Sequence, residues 1–180
     1  MVQRRWLVTA GLFGVCLALT TAALAHAATP AAQTDTPVIT PFNCPLTEPR
    51  GDNPPEFQGA GGYSNDALWT NLTMWSSAPG IVLAPNDSRI APDGTIQDMK
   101  WAWYRFVPGK LEVQGRRLDA PASPLRAWIP EGYGDVGFQV TGLTFPSAGC
   151  WEITGRIGEE SLTFVVLVLT PGWQLPMEIQ

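Results

Sequence analysis

The chain has 180 residues, with 11 basic residues against 16 acidic ones, a net charge of -5 and a pI near 4.7. A chain of this size makes one domain with a sizeable core, and its acidic balance gains nothing from phosphate backbones, so nucleic acid is not an expected partner. Its 17 prolines and 18 glycines break helices and make turns, which argues for many short strands.

Residues 1–27 have the layout of a secretory signal peptide. Arg4 and Arg5 precede an apolar run from Leu7 to Leu24, and Ala25-His26-Ala27 supplies small residues where a signal peptidase cuts. Cleavage after Ala27 removes the single histidine and Cys16, and takes the net charge from -5 to -7, because two of the basic residues leave. An uncleaved N-terminal membrane anchor is the alternative, since the run is just long enough to span a bilayer. A lipoprotein fits less well, because Val15 stands before Cys16, and the flanks of Arg4-Arg5 fit a twin-arginine signal poorly. The expected location is therefore secreted, periplasmic or at the cell envelope, with no membrane contact once the segment is removed.

Residues 28–58 hold seven prolines and read as a proline-rich linker or arm, spacer-like at first and then pinned to the domain, because Cys44 lies within it. The β domain is expected over residues 59–170. Its strands are expected at 67–72, 81–83, 99–107, 111–114, 125–129, 138–145, 150–157 and 161–169, with a tail at 171–180. In the third expected strand, Met99, Trp101, Trp103, Arg105 and Val107 share one face, and Lys100, Ala102, Tyr104 and Phe106 share the other. Residues 162–169 are apolar on both faces and predict a central or covered strand, paired with 150–157 as a hairpin across Gly158-Glu159-Glu160. No helix of two turns or more is expected after the leader. Strands at this spacing describe an antiparallel sandwich.

The run Phe145-Pro146, Gly149 and Trp151 ahead of an alternating strand resembles the approach to the penultimate strand of bacterial secreted immunoglobulin-like domains. Lys100-Trp101-Ala102-Trp103-Tyr104-Arg105 is similar to their strand carrying a buried core tryptophan. The likeness covers residues 64–170 and implies an all-β, antiparallel immunoglobulin-like β-sandwich, here with a proline-rich N-terminal arm. It implies no particular activity. The tracts Gly115–Pro121 and Gly149–Glu152 are also similar to those of uncharacterised exported bacterial proteins.

Cys44 and Cys150 remain in an oxidising compartment and are expected to form a disulfide, the alternative being two buried thiols. Their separation is much longer than that of the antibody-type bridge, so the bond would staple the arm across the domain. After cleavage no histidine is left for a Ser-His-Asp or Cys-His arrangement or for an imidazole-bound metal. No cofactor and no metal are expected, and the chain is not expected to be an enzyme. Glu112, Asp119, Glu131, Asp135 and Glu152 keep a carboxylate-based hydrolase open as a second alternative, although nothing in their spacing selects a pair.

The seven tryptophans after the leader are the compositional anomaly. Trp101, Trp103 and Trp151 alternate as core residues, whereas Trp75 and Trp173 lack a strand pattern and are expected to be exposed. Aromatic platforms bind sugar rings or partner proteins. Trp75, Trp128 and Tyr133 are the sugar-binding candidates. Arg116 and Arg117 could grip a carboxylate or sulfate, although internal pairing with Asp119 or Glu131 and stacking on a tryptophan is the favoured reading. The expected function is non-catalytic binding or scaffolding through protein–protein interaction with an envelope protein; binding of a polysaccharide is the first alternative.

Overall fold

The computed structural model describes residues 40, 43–85 and 89–172. The leader, most of the spacer, Trp173 and the rest of the tail lie outside the described residues. The described residues form nine strands: β1 (Gly62–Ser64), β2 (Leu68–Asn71), β3 (Ile81–Leu83), β4 (Ile96–Arg105), β5 (Leu111–Arg117), β6 (Arg126–Trp128), β7 (Gly137–Phe145), β8 (Gly149–Ile157) and β9 (Glu160–Leu169). They form a five-stranded antiparallel sheet in the order β1-β2-β4-β7-β6 and a four-stranded sheet in the order β3-β9-β8-β5.

The alternation of β4 faces its apolar residues inward. Trp101 and Trp103 both meet Phe164 of β9, with ring centroids 5.6 and 5.7 Å apart, and this joins the two sheets through one core. Trp151 closes that core edge-on against Phe145. Three of the four buried indole N–H groups among the described residues find an acceptor: Trp101 Nε1 donates to Thr70 Oγ1 at 2.7 Å, Trp103 Nε1 to Thr141 Oγ1 at 3.2 Å, and Trp151 Nε1 to the Ser147 carbonyl at 3.0 Å, whereas Trp69 Nε1 has none. Threonine stands at these core positions because large rings with a polar edge need partners once desolvated.

The four-stranded sheet is mixed, which corrects the expectation of a wholly antiparallel architecture. β3 runs parallel to β9, with Ile81 opposite Leu167 and Leu83 opposite Leu169. β8 and β9 form the expected hairpin over a two-residue turn, Gly158-Glu159, with Gly158 at φ +57°. β9 is central, between β3 and β8. β1, unforeseen, is a three-residue strand that begins on glycine.

Cys44 and Cys150 form a disulfide. Cys150 lies on the outer face of β8, so the bond fastens the N-terminal segment to the back of the four-stranded sheet. Thr47 then takes over the stretch of β9 that the short β3 leaves unpaired: its N–H donates to the Val165 carbonyl at 3.1 Å, and its Oγ1 accepts from Val165 N–H at 2.9 Å. Further on, the N–H groups of Arg50 and Gly51 donate to the Gly62 carbonyl, and Phe57 stacks on Trp69, outward-facing on β2, at 4.9 Å. The segment from Cys44 to Phe57 thus covers an edge of one sheet and part of the outer face of the other, hiding surfaces that would otherwise be exposed.

Candidate functional site

The residues on the outer face of the five-stranded sheet come from the polar-looking side of β4 and its neighbours. Cross-strand register places Tyr104 opposite Phe138, Ala102 opposite Val140 and Lys100 opposite Gly142, with Trp128 of β6 on the far side of Gly142. Tyr104 and Phe106 rings lie 5.1 Å apart, and Phe138 meets Phe57 at 5.2 Å. Phe57, Tyr104, Phe106 and Phe138 therefore form a strip of aromatic rings, in which Phe106 is 41% and Phe138 40% exposed. The Tyr104 hydroxyl is 3.1 Å from Glu56 Oε1, and this hydrogen bond holds its pKa above the usual tyrosine value.

Trp128 forms a second aromatic centre and is 65% exposed. It sits over Gly142, where an added Cβ would come within 3.4 Å of its ring and collide with the Asp98 carboxylate. A β-bulge between Ile96 and Met99 explains the presence of Asp98 there. Asp98 has φ +46°, a conformation that residues other than glycine adopt rarely, and a bulge re-aims the side chain it displaces. Its carboxylate is 3.8 Å from Arg89. An open indole face, a carboxylate and Lys100 thus share one end of the sheet, about four residues (~13 Å) along β7 from Phe138.

The other sequence candidates fall elsewhere. Trp75 is half-buried rather than exposed: β2 ends at Asn71, so the carbonyls of β4 beyond it need donors, and Trp75 Nε1 supplies one to Lys100 at 2.8 Å. Arg116 and Arg117 do not converge, because successive strand residues point to opposite faces. Arg116 lies on the outer face and pairs with Glu152 at 2.7 Å, which raises its pKa. Arg117 points inward, forms a two-pronged pair with Asp119 (2.7 and 3.0 Å) and donates to Ser147 Oγ at 3.0 Å. Tyr133 is at the opposite end of the domain, in the loop after β6, where it lines an open cavity with Glu131 and Asp135.

The signal that sequence reading left unused was the outward set Tyr104 and Phe106, whose partner Phe138 becomes apparent only from the register of β4 and β7. Among the described residues there is no group of three or more His, Cys, Asp or Glu side chains that could hold a metal ion. No protein-family model, no curated protein and no solved structure matches this chain.

Proposed function

We propose that this protein is an exported, non-catalytic binding domain, an immunoglobulin-like β-sandwich with a proline-rich N-terminal arm, that acts at the cell envelope or outside the cell through protein–protein contact. The observation that carries this reading is the strip Phe57, Tyr104, Phe106 and Phe138, aromatic rings grouped on an outer sheet face with no core beyond them. Such rings dominate binding energy at protein interfaces. The leader-like residues 1–27 and the Cys44–Cys150 disulfide support the location. Crosslinking in envelope extracts tests it: a partner captured by the wild type should be lost with Phe106→Ser/Phe138→Ser, and full retention would overturn this face as the contact.

The Trp128 centre favours a second reading, binding of a polysaccharide, because a sugar ring could stack on the open indole while Asp98 and Lys100 meet its hydroxyls. A saturable change in tryptophan fluorescence with a glycan, lost in Trp128→Ala and weakened in Asp98→Gly, would transfer the function to this end of the sheet. Silence across a broad glycan panel would remove the reading.

A further inference from the structure

At the end of the domain away from Trp128, a cavity of about 500 Å³ opens between the segment 109–111 and the loop 129–135. Arg105 and Gln139 lie at its inner end. Arg105 closes β4 on the inner face, next to Trp103, and is only 4% exposed. No carboxylate pairs with it among the described residues. Its Nη1 donates to the Gly109 carbonyl at 2.9 Å and its Nη2 to the Gly134 carbonyl, while its Nε has no partner. Gln139, opposite Trp103 on β7 and therefore on the same inner face, is 5% exposed. Its Nε2 donates to the Pro130 carbonyl at 3.3 Å, and its Oε1 has no partner.

A guanidinium stays protonated at any physiological pH, so carbonyl dipoles alone leave its full charge buried without a counter-ion. That arrangement is unfavourable, and an anion in the cavity is the direct remedy. The orphaned Gln139 oxygen asks for something else, a donor such as a hydroxyl. The mouth adds a selection. Glu131 and Asp135 line it and oppose any anion, so two cations, Arg105 and Lys110, stand against two carboxylates and the lining favours a ligand with one negative charge over one with two, while the exposed ring of Tyr133 accepts a polar ring leaning against it.

We propose that this cavity binds a hydroxylated monocarboxylate of sugar-acid type, its carboxylate on Arg105 and a hydroxyl donating to Gln139. The cavity is separate from the aromatic face, and the inference stands or falls independently of what that face binds. The ligand could arrive as a free acid or as a uronic acid residue of a glycan; both present the same carboxylate and hydroxyls.

Amide and side-chain NMR of the full, disulfide-intact chain tests the proposal with four probes: D-glucuronate, trigalacturonate, D-glucose and inorganic phosphate. Saturable shifts at Gly134, the Gln139 amide group and the Arg105 Nε–H are expected with at least one of the two uronates. Response to the monomer alone identifies a free acid, and response to the oligomer identifies a glycan-borne one. Glucose and phosphate should bind at least about tenfold more weakly, since each lacks half of the recognised chemistry. Equal binding of glucose or phosphate, or no shift with either uronate, would overturn the assignment.

Gln139→Glu is the informative variant, because it places a counter-ion on the inner face beside Arg105. It should raise the melting temperature while abolishing uronate binding, and unchanged binding in this folded variant would also overturn the proposal. Arg105→Lys, which keeps the charge but loses the planar fork, should weaken binding by about tenfold or more.

Discussion

Asp119 accepts two hydrogen bonds from the Arg117 guanidinium and a third from the Cys150 backbone N–H at 3.0 Å, while the Leu118 N–H donates to the Cys150 carbonyl. Burial alone would raise the pKa of this carboxyl, but the bonds from Arg117 and Cys150 outweigh it and hold it below the usual value. A carboxyl with a depressed folded pKa stabilises the fold above its unfolded pKa, ~3.9, and that stabilisation is lost as the pH falls through the folded value. Asp119→Asn should therefore lower stability by about 2–4 kcal/mol near neutral pH, read as a shift of the urea midpoint, and the gap from wild type should close in strong acid. Arg116→Ala breaks only an exposed pair with Glu152 and should change stability by less than ~1 kcal/mol. Gly149 belongs to the same knot: it has φ +143°, and a side chain there would run into the Arg117 guanidinium. The tracts Gly115–Pro121 and Gly149–Glu152, conspicuous in the sequence as separate runs, are thus two halves of one brace across β5 and β8.

At the scale of elements, what could be read in advance depended on whether the signal was local. β4 and β8 announce themselves by period-two alternation, β9 by an apolar run on both faces and β7 by the proline that ends it, and the core tryptophans followed from the alternation. The parallel pairing of β3 was hidden, because three apolar residues between prolines say nothing about which edge they will join. β1 was hidden too, since a strand starting on glycine has no alternation to detect. Arg105 was legible as an inner-face residue by its spacing from Trp103, but its lack of a carboxylate partner depends on how the 129–135 loop closes. Trp75 was misplaced because its anchor, the Lys100 carbonyl, is freed by the early end of β2 rather than by anything near Trp75 in sequence. The covering segment gives two expectations at this scale. Reducing the Cys44–Cys150 bond should lower stability by up to ~4.7 kcal/mol for a closed loop of about 100 residues, read as a lower urea midpoint, and should expose the Val165 amide to exchange. Phe57→Ala should uncover Trp69, red-shift the fluorescence and cost about 1–3 kcal/mol.

For the whole molecule, the two sheets have different duties. The four-stranded sheet carries the disulfide, the Arg117–Asp119 brace and the Thr47 edge contact, whereas the five-stranded sheet offers aromatic rings on its outer face. The cavity at the end of the layers, floored by Arg105 and Gln139, belongs to both and to neither face. Substitutions on the aromatic strip should therefore leave folding intact: Phe106→Ser/Phe138→Ser is expected to melt within a few degrees of wild type, a shift read by circular dichroism, because both rings lie outside the shared core.

The position of Cys44 also fixes how the molecule would carry a mechanical load. Tension applied to the chain ahead of Cys44 passes through a covalent bond straight into β8 at Cys150, by-passing every hydrogen bond formed between those two residues. The chain between them, a separation of 106 positions and roughly 350 Å when extended, stays out of reach of a pull until the bond is reduced. That bond is on the back of the four-stranded sheet, whereas the aromatic strip is on the outer face of the other sheet, so the load would enter the fold on the side opposite its aromatic rings.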